Sequence, residues 1–441
     1  MNVKKQLQNK KILLIGAGGA GISNIAQIYQ EQGYEVLGCD RIKNAATDNL
    51  EEKGIKIFLD SQENLLEGID LVFRSAAIKD DHQLIQEAQS LNIPIISRYE
   101  LFEELSSTKQ VIAIAGSSGK TSTTGITSHI LQGHEDCGYL VGIHGNGGHF
   151  GKTDHFILEA DEYARTFLHL SKTKISLITG IKYDHVDIYD TEEDYNQAFV
   201  EFAKRAETLV VNGDDSKLLA LTKSFDPITY GLNSNNHFRA SDIKNFEGGS
   251  SFDIYYKDQI IASIELQVIG GHNVINALAG FVINYILNTP IDIIITRLQD
   301  FKGLPRRLEL IKSKPYYIYN DYAHLPFEIT TVLKGLRESY PNRRIFCYFQ
   351  GHTYTRINAF FDDYCKALSN CDYLFLGDIY ASRDSSGSVD LQKLLEQVTV
   401  DNKTLSGKPD NTVELIKRVI QEGAVLIVMS AGDGNIVAYN L

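Results

Sequence analysis

Short apolar runs alternate along this chain with stretches in which apolar residues recur at every third or fourth position. The first period marks buried strands and the second marks helices with one apolar face. The opening third predicts strands at Ile12–Ile15, Glu35–Gly38, Ile55–Phe58, Leu71–Ala76 and Pro94–Ile96, with helices over Ile22–Gln30 and 82–91. That is a βαβ series, which folds as a mostly parallel sheet covered by helices on both faces. The middle predicts strands at Val111–Ala115, Phe156–Leu158, Ile175–Ile181 and Thr208–Val211, then a more alternating stretch, Ser251–Val268. The last part returns to βα order: Tyr316–Tyr319, a helix from Pro326, Ile345–Phe349, a helix over 358–368, Tyr373–Leu376 and Ala424–Met429. The 358–368 helix places Phe361, Tyr364, Cys365 and Leu368 on one face. The pattern predicts an α/β chain of three domains, 1–106, 107–304 and 305–441.

Composition narrows the class. At 441 residues the chain exceeds one ordinary core, and 43% hydrophobic with 22% charged residues describes a folded globular protein. A net charge of −13 excludes bulk binding to nucleic acid or to an anionic membrane, so anionic ligands need local positive sites. No apolar run approaches the roughly 20 residues of a membrane span. The first strand begins by Lys11, leaving no room for a signal peptide, and Cys39, Cys137, Cys347, Cys365 and Cys371 lack metal-type spacing. They read as buried thiols of a reducing compartment, which makes the cytoplasm the expected location.

Two glycine-rich turns carry phosphate chemistry. The run Val111–Ala115 feeds Gly116-Ser117-Ser118-Gly119-Lys120-Thr121-Ser122, the shorter form of a P-loop. Glycines let backbone N–H groups approach phosphate oxygens, a helix N-terminus adds positive potential, lysine neutralises charge and a hydroxyl holds magnesium. This combination points to a nucleoside triphosphate. Nearer the N-terminus, Ile12–Ile15 runs into Gly16-Ala17-Gly18-Gly19-Ala20-Gly21, and Asp40 ends the next strand. That Rossmann-like layout takes a pyrophosphate on the glycine turn and a ribose or base on the carboxylate. NAD, FAD and a nucleotide sugar all fit it.

Acidic strand ends supply the rest of a metal-dependent phosphoryl transfer. Phe156–Leu158 leads into Glu159-Ala160-Asp161-Glu162, and Ile175–Ile181 leads into Asp184-His185-Val186-Asp187. Ligands of an open α/β sheet bind outside the carboxyl ends of its strands, where Gly116, Glu159 and His185 are all expected. Magnesium prefers hard oxygen ligands, and Thr121 and Glu159 suit it.

Taken in order, these motifs resemble the Mur ligase family, ATP-dependent amide-forming enzymes of peptidoglycan assembly. Gly16–Gly21 resembles the family's UDP-diphosphate loop, and Arg74-Ser75-Ala76-Ala77-Ile78 its following segment. Gly116–Thr121, Glu159–Glu162 and Asp184-His185-Val186-Asp187 resemble its phosphate loop, metal-side acidic motif and metal-linked histidine motif. Gly271-His272-Asn273-Val274-Ile275-Asn276-Ala277 is similar to the adenine-contacting helix start, and Gly303–Glu309 to the arginine motif before the third domain. Asn320–Pro326 and Gln350–Arg356 match the C-terminal motifs, and Tyr163–Leu168 with His352-Thr353 resembles one bacterial branch of the alanine-adding members.

The resemblance implies a UDP-substrate-binding Rossmann-like first domain, a central P-loop ATPase-type domain, and a Rossmann-like third domain that binds the amino acid and closes over ATP. It implies ATP and Mg²⁺ (Mn²⁺ as a substitute) as cofactors, UDP-N-acetylmuramate and L-alanine as substrates, and a monomer or weak homodimer. Lys120 and Arg307 would neutralise phosphate charge, with Thr121, Glu159 and His185 at the metal. Gly116–Ser122, Asn276, Arg307 and Asp321 would hold ATP, Asn276 reading adenine and Asp321 the ribose. Gly18, Gly19, Ala20, Gly21, Asp40, Ser75 and Ala76 would hold the uridine substrate. Tyr322, His324, His352 and Arg356 would lie at the carboxylate or the amine, with His324 a candidate base. Ser118, Gly180, Leu325, Gly351 and Thr353 depart from the commonest family pattern, and Thr353 removes one possible carboxylate clamp. A ligase adding a muropeptide tripeptide is the alternative. An NAD-dependent oxidoreductase would leave Lys120, Glu159 and His185 without a role, and an ATP-binding regulator would bind ATP without making ADP when substrates are added.

Overall fold

The structure, a computed structural model, describes residues 10–143, 145–185, 188–381 and 387–441, without the side chains of Ala20 and Ala45. Three sheets organise the described residues. The first has five parallel strands in the order Lys56–Leu59, Glu35–Asp40, Lys11–Ile15, Leu71–Arg74 and Ile95–Ile96. Alternate residues of its central strand face opposite cores. Ile12 and Leu14 pack under the helices Ala20–Glu31 and Arg98–Thr108, while Leu13 and Ile15 pack against Leu84, Ile85 and Ala88 of Gln83–Ser90. A strand buried on both faces is why Ile12–Ile15 is continuously apolar.

The second sheet has ten strands. Its parallel centre runs Ala206–Asn212, Thr173–Ile178, Gln110–Ala115 and His155–Glu159, with Ile178 beside Ala115 and Ile114 beside Glu159. That register brings the P-loop strand, the acidic strand and the strand before His185 to one edge. The third sheet has six strands, in the order Glu309–Lys312, Tyr317–Asp321, Val425–Ser430, Ile345–Gln350, Tyr373–Gly377 and Asn402–Gly407; only the first pairing is antiparallel.

Contacts divide the chain into two units, the first comprising the described residues up to Ala240 with Ile254–Ala262 and Asn276–Arg297. The first sheet and the P-loop strand belong to this same unit. One apolar cluster runs through both, from Ile12, Leu14 and Phe73 by way of Leu101 and Leu105 to Val111, Ala113, Phe156 and Leu158.

The predicted elements differ from the observed ones in places that have local causes. Ala45–Glu52 and Arg98–Thr108 are helices that apolar spacing left unmarked; each is started by a capping box, Asn44 with Thr47 and Ser97 with Glu100. Ser251–Val268 is two strands, Gly249–Tyr256 and Gln259–Leu266. The 358–368 helix is broken at Phe360 (φ −120°, ψ 30°) into Tyr354–Ala359 and Phe361–Leu368. Tyr364, Cys365 and Leu368 are buried as expected, with Phe361 partly buried against the same cluster.

Within the first unit, His149 ties helix Ala20–Glu31 to the segment that precedes strand Gly138–Leu140. Its Nδ1 lies 3.0 Å from Glu31 Oε1 and its Nε2 2.6 Å from Asp136 Oδ1. Burial pushes the imidazole pKa down, but Asp136 and Glu31 outweigh it and hold the value above that of a free histidine. A raised folded-state pKa gives stability that is full below the unfolded value of about 6.5 and is lost as pH rises through the folded value. Accordingly, His149→Gln should lower the melting temperature by roughly 1–3 °C at pH 5.5. The difference should shrink towards zero by pH 9; a thermal-shift series across that range checks it.

Candidate active site

The P-loop is shaped by backbone. Gly116 (φ +136°) and Gly119 (φ +79°) occupy conformations that side chains resist, and a Cβ on Gly116 would fall 2.0 Å from Thr179 Oγ1. Helix Lys120–Leu131 starts at Gly119 with no side-chain cap. Neighbouring chain pins the loop from outside. Ser117 N donates to Gly180 O (3.0 Å), Ser117 Oγ to Lys182 O (2.8 Å) and Thr179 Oγ1 to Ser118 O (2.6 Å).

Charge is arranged around it in two groups. Lys120 Nζ donates to Gly116 O (2.6 Å) and Glu162 Oε1 (2.8 Å), and lies 2.7 Å from Glu162 Oε2. Burial works against the ammonium, yet Glu162, Asp161 and Glu159 outweigh it and keep Lys120 charged. Glu162 is buried too, and Lys120 and His185 hold its carboxyl below the usual range. In the second group Thr121 Oγ1 donates to Glu159 Oε1 (2.8 Å), and Gly142 N donates to Glu159 Oε2 (2.6 Å).

These residues fit a nucleoside triphosphate. An uncapped helix start, glycines that leave room only for backbone, and a lysine held by a carboxylate that phosphate can replace make an anion cradle. Asn276 borders it. A Cβ on Gly119 would lie 2.9 Å from Asn276 Oδ1, which also accepts from Thr123 Oγ1 (3.3 Å). The hard oxygens of Thr121 and Glu159 suit Mg²⁺, which takes one or two protein ligands and completes its shell with phosphate and water. His185 faces the first of the two groups. Its Nε2 lies 3.5 Å from Glu162 Oε1 and 3.9 Å from Asp184 Oδ2. Among the described residues no three His, Cys, Asp or Glu side chains are grouped to hold a metal. Asp187 lies outside the described residues.

At the N-terminal glycine turn, Gly16 (φ +84°) sends its N–H to Cys39 O (2.9 Å). Asp40, expected to take a ribose or base, instead holds the turn: its Oδ2 accepts from Gly18 N and its Oδ1 from Arg41 N, both at 2.8 Å. A Cβ on Gly21 would fall 2.0 Å from Arg98 Nη2, whose other nitrogen lies 3.7 Å from Asp161. Gly19 starts helix Ala20–Glu31 without a side-chain cap, and the side chain of Ala20 is outside the described residues. Ser75 N donates to Ile15 O (3.1 Å), and Ala76 is exposed beside it. Arg98 was not marked by the sequence motifs, although the Ser97–Glu100 capping box fixes where its helix begins.

In the second unit, the ends of Tyr317–Asp321, Ile345–Gln350 and Val425–Ser430 carry the remaining groups. Burial raises Asp321 to a pKa of about 6, and its carboxylate accepts from Leu308 N and Ala323 N, both at 2.6 Å. The Tyr322 ring has the Arg306 guanidinium 4.8 Å and the Arg307 guanidinium 5.2 Å from its centroid. Arg306 spends Nη2 on Ser430 O (2.6 Å) and Gly432 O (3.2 Å), a scaffolding role. The His324 ring lies 5.4 Å from that of Tyr322 and 5.9 Å from that of His352. Arg356 Nη1 donates to His352 Nδ1 (3.0 Å). His324 Nδ1 is 3.1 Å from Tyr322 O, which assigns the proton to Nδ1 and leaves Nε2 as the acceptor. Tyr322, His324, His352 and Arg356 therefore form one cluster.

Comparison with known proteins follows the same three-part order. Family models match residues 11–110 (Mur ligase family, catalytic domain), 114–283 (Mur ligase middle domain) and 306–432 (Mur ligase, glutamate ligase domain). The chain is 37% identical to the UDP-N-acetylmuramate–L-alanine ligase of Clostridium novyi, over 96% of this chain and 95% of that one. It is 35% identical to the enzyme of that name from Aquifex aeolicus, over 96% and 95%. In fold it is similar to the UDP-N-acetylmuramate–alanine ligase of Thermotoga maritima (TM-score 0.85, 24% identity, 97% of each chain). It is also similar to a murein peptide ligase of Psychrobacter arcticus (TM-score 0.70, 19% identity, 98% of each chain). On this ordered, full-length match, the chain belongs to the Mur ligase family.

Proposed function

We propose that this chain joins L-alanine to the lactoyl carboxylate of UDP-N-acetylmuramate, using ATP and Mg²⁺ and releasing ADP and phosphate. The observation that carries the reading is the paired arrangement at the P-loop: Lys120 on Glu162 beside Thr121 on Glu159. The acid and the amine come from the names of relatives that match almost the whole chain. A carboxylate is a poor electrophile, so an amine does not attack it usefully. When bound, ATP supplies the phosphoryl group that turns the carboxylate into a reactive acyl phosphate, and Mg²⁺ draws charge from the phosphate oxygens.

The chain's own residues position and neutralise, which is most of what phosphoryl transfer needs. Lys120 offers its ammonium to phosphate in exchange for Glu162. Thr121 and Glu159 present hydroxyl and carboxylate oxygens to the metal, and Arg307 adds positive charge. Asn276 borders the nucleotide beside Gly119, and the turn Gly18–Gly21 with Ser75 and Ala76 takes the uridine diphosphate. The amine must lose a proton as it attacks, and His324 Nε2 accepts it, the ring being oriented by Tyr322 O and by Glu328 Oε2, 3.3 Å from Nδ1. Tyr322, His352 and Arg356 surround that histidine. The cytoplasm suits this reading, because among the described residues all five cysteines are free, buried thiols.

The decisive assay is phosphate release with ATP, Mg²⁺ and UDP-N-acetylmuramate against a panel of single amino acids and one muropeptide tripeptide. Turnover should require L-alanine; release with the tripeptide alone would reassign the acceptor, and silence throughout would refute the ligase reading. Lys120→Ala should lower kcat by about 10²–10³. His324→Gln should lower kcat by about 10²-fold or more and flatten the acidic limb of the pH–rate profile, with the KM for ATP little changed. An unaltered pH profile would remove His324 as the base.

A further inference from the structure

We propose that Asn24 is a positioning residue for this reaction: from the helix of the N-terminal glycine turn, it holds Val141, Ile143 and Gly147 so that Gly142 N–H orients Glu159. The inference rests on the ligase reading above, since Glu159 matters there as a carboxylate of the P-loop site.

Asn24 lies in helix Ala20–Glu31 among the buried residues Ile22, Ile25, Ala26 and Ile28, and is itself fully buried. Asparagine is a poor helix former, and its amide is costly to bury unless every polar atom finds a partner. Both ends of this amide do. Nδ2 donates to Val141 O (2.9 Å) and Ile143 O (2.6 Å), and Oδ1 accepts from Gly147 N (3.0 Å). These partners are more than a hundred residues away in sequence, so the bonds are tertiary.

The loop is cut to fit. Val141 N closes it by donating to Gly147 O (2.7 Å). A Cβ on Gly147 would lie 2.4 Å from Asn24 Nδ2, and one on Gly148 would lie 2.0 Å from Asn24 O. Around the rim, Gln27 donates to Gly145 O, and Lys53 Nζ donates to Asn146 Oδ1 (2.6 Å) and Gly145 O (3.1 Å). Residue 144 is outside the described set.

The two carbonyls that Asn24 grips flank Gly142. Gly142 N–H reaches Glu159 Oε2 at 2.6 Å, while Thr121 Oγ1 reaches Oε1 at 2.8 Å. A Cβ on Gly142 would come within 2.7 Å of the same carboxylate. Three steps, each a hydrogen bond or one peptide unit, therefore connect Asn24 to Glu159. An apolar residue of similar size would fill the space but take the donor from Ile143 O and the acceptor from Gly147 N–H, and would leave Val141 O only its bond from Ile143 N (2.9 Å). Aspartate would keep the shape and set an anion against two carbonyls.

The test compares the full-length protein with Asn24→Asp, Asn24→Ser (smaller, so tolerated where the aspartate is not) and Lys53→Met, which alters only the rim. Amide hydrogen exchange across 141–147 and steady-state kinetics are measured on each. Gly142 should be protected in the parent and exchange at least tenfold faster in either Asn24 variant. Their kcat should fall about 10- to 100-fold, the size of effect seen when a group supporting a metal-site ligand is lost. KM for the uridine substrate and the amine should stay within about threefold, and Lys53→Met should retain kcat. A lowered melting temperature with kcat unchanged would overturn the proposal in favour of simple docking. A raised KM for the uridine substrate at unchanged kcat would make Asn24 a substrate contact instead. If the parent forms no amide, the ligase reading fails by itself; equal exchange of Gly142 in parent and variants sinks the positioning role whatever the activity.

Discussion

A buried lysine must have a counter-charge, and the central site is organised by that requirement. Lys120 and Glu162 are 14% and 1% exposed at the side chain, so neither can rely on water. Removing one partner of such a pair typically costs about 3–5 kcal/mol, because the other charge is left unpaired. Glu162 stands just beyond strand His155–Glu159, and immediately after it the chain turns sharply. It does so through Ala164 and Arg165, both at positive φ (53° and 57°). Each such residue costs on the order of 1–3 kcal/mol, so the surroundings must hold the turn. They do: Arg165 pairs with Asp194 and stacks on Tyr189, whose hydroxyl donates to Glu162 O (2.6 Å), and Tyr99 OH donates to Ala164 O (3.2 Å). These contacts hold the turn that follows the buried carboxylate.

Sheet register carries that local arrangement into a working edge. Because Ile114 lies beside Glu159 and Ala115 beside Ile178, the loops after three adjacent parallel strands emerge together. Phosphate loop, acidic turn and histidine loop then touch through Lys120, Glu162 and His185 rather than through any single motif. The shared apolar cluster beneath the first two sheets gives that edge a firm base, and it explains how a side chain at position 24 can bear on a carboxylate at position 159. In a chain of net charge −13, the two uncapped helix starts and Lys120 supply local positive potential within the first unit.

Most strands and both glycine turns were legible in the sequence because their causes are local: apolar runs, and glycines where φ is positive. The helices starting at Ala45 and Arg98 were written in a different signal, the cap Asn44–Thr47 and the cap Ser97–Glu100, which apolar periodicity does not register. The partner of a charged group was hardest to read. Asp40 has the position of a ribose ligand but faces Gly18 N, and His185 has the setting of a metal ligand but faces Glu162. Sequence tells which groups reach an edge; which of them pair depends on the path of the loops between strands, which no motif encodes. Asn24 was illegible for the same reason, since its partners lie at 141–147.

The departures from the commonest family pattern fall where backbone or packing, rather than a side-chain functional group, does the work. Gly180 contributes its carbonyl to Ser117 N from a backbone at φ +159°, on the border of the range that favours glycine, so the residue suits the bend it makes. Ser118 is exposed and contributes its carbonyl to Thr179 Oγ1. Leu325 is buried, while its N–H and that of His324 bind Glu328 Oε2. A second histidine at 325 would have its ring buried, so its loss leaves His324 intact as the group able to accept a proton. Thr353 holds φ +65°, unusual for a β-branched residue, and its N–H binds Tyr380 O (3.0 Å), against whose ring the His352 ring stacks. The segment is thus tied down by backbone, and Arg356, bonded to His352, remains the cation of that cluster. On the proposed reading, the substitutions change which side chains line the amine's surroundings and leave Lys120, Thr121 and Glu159 in place.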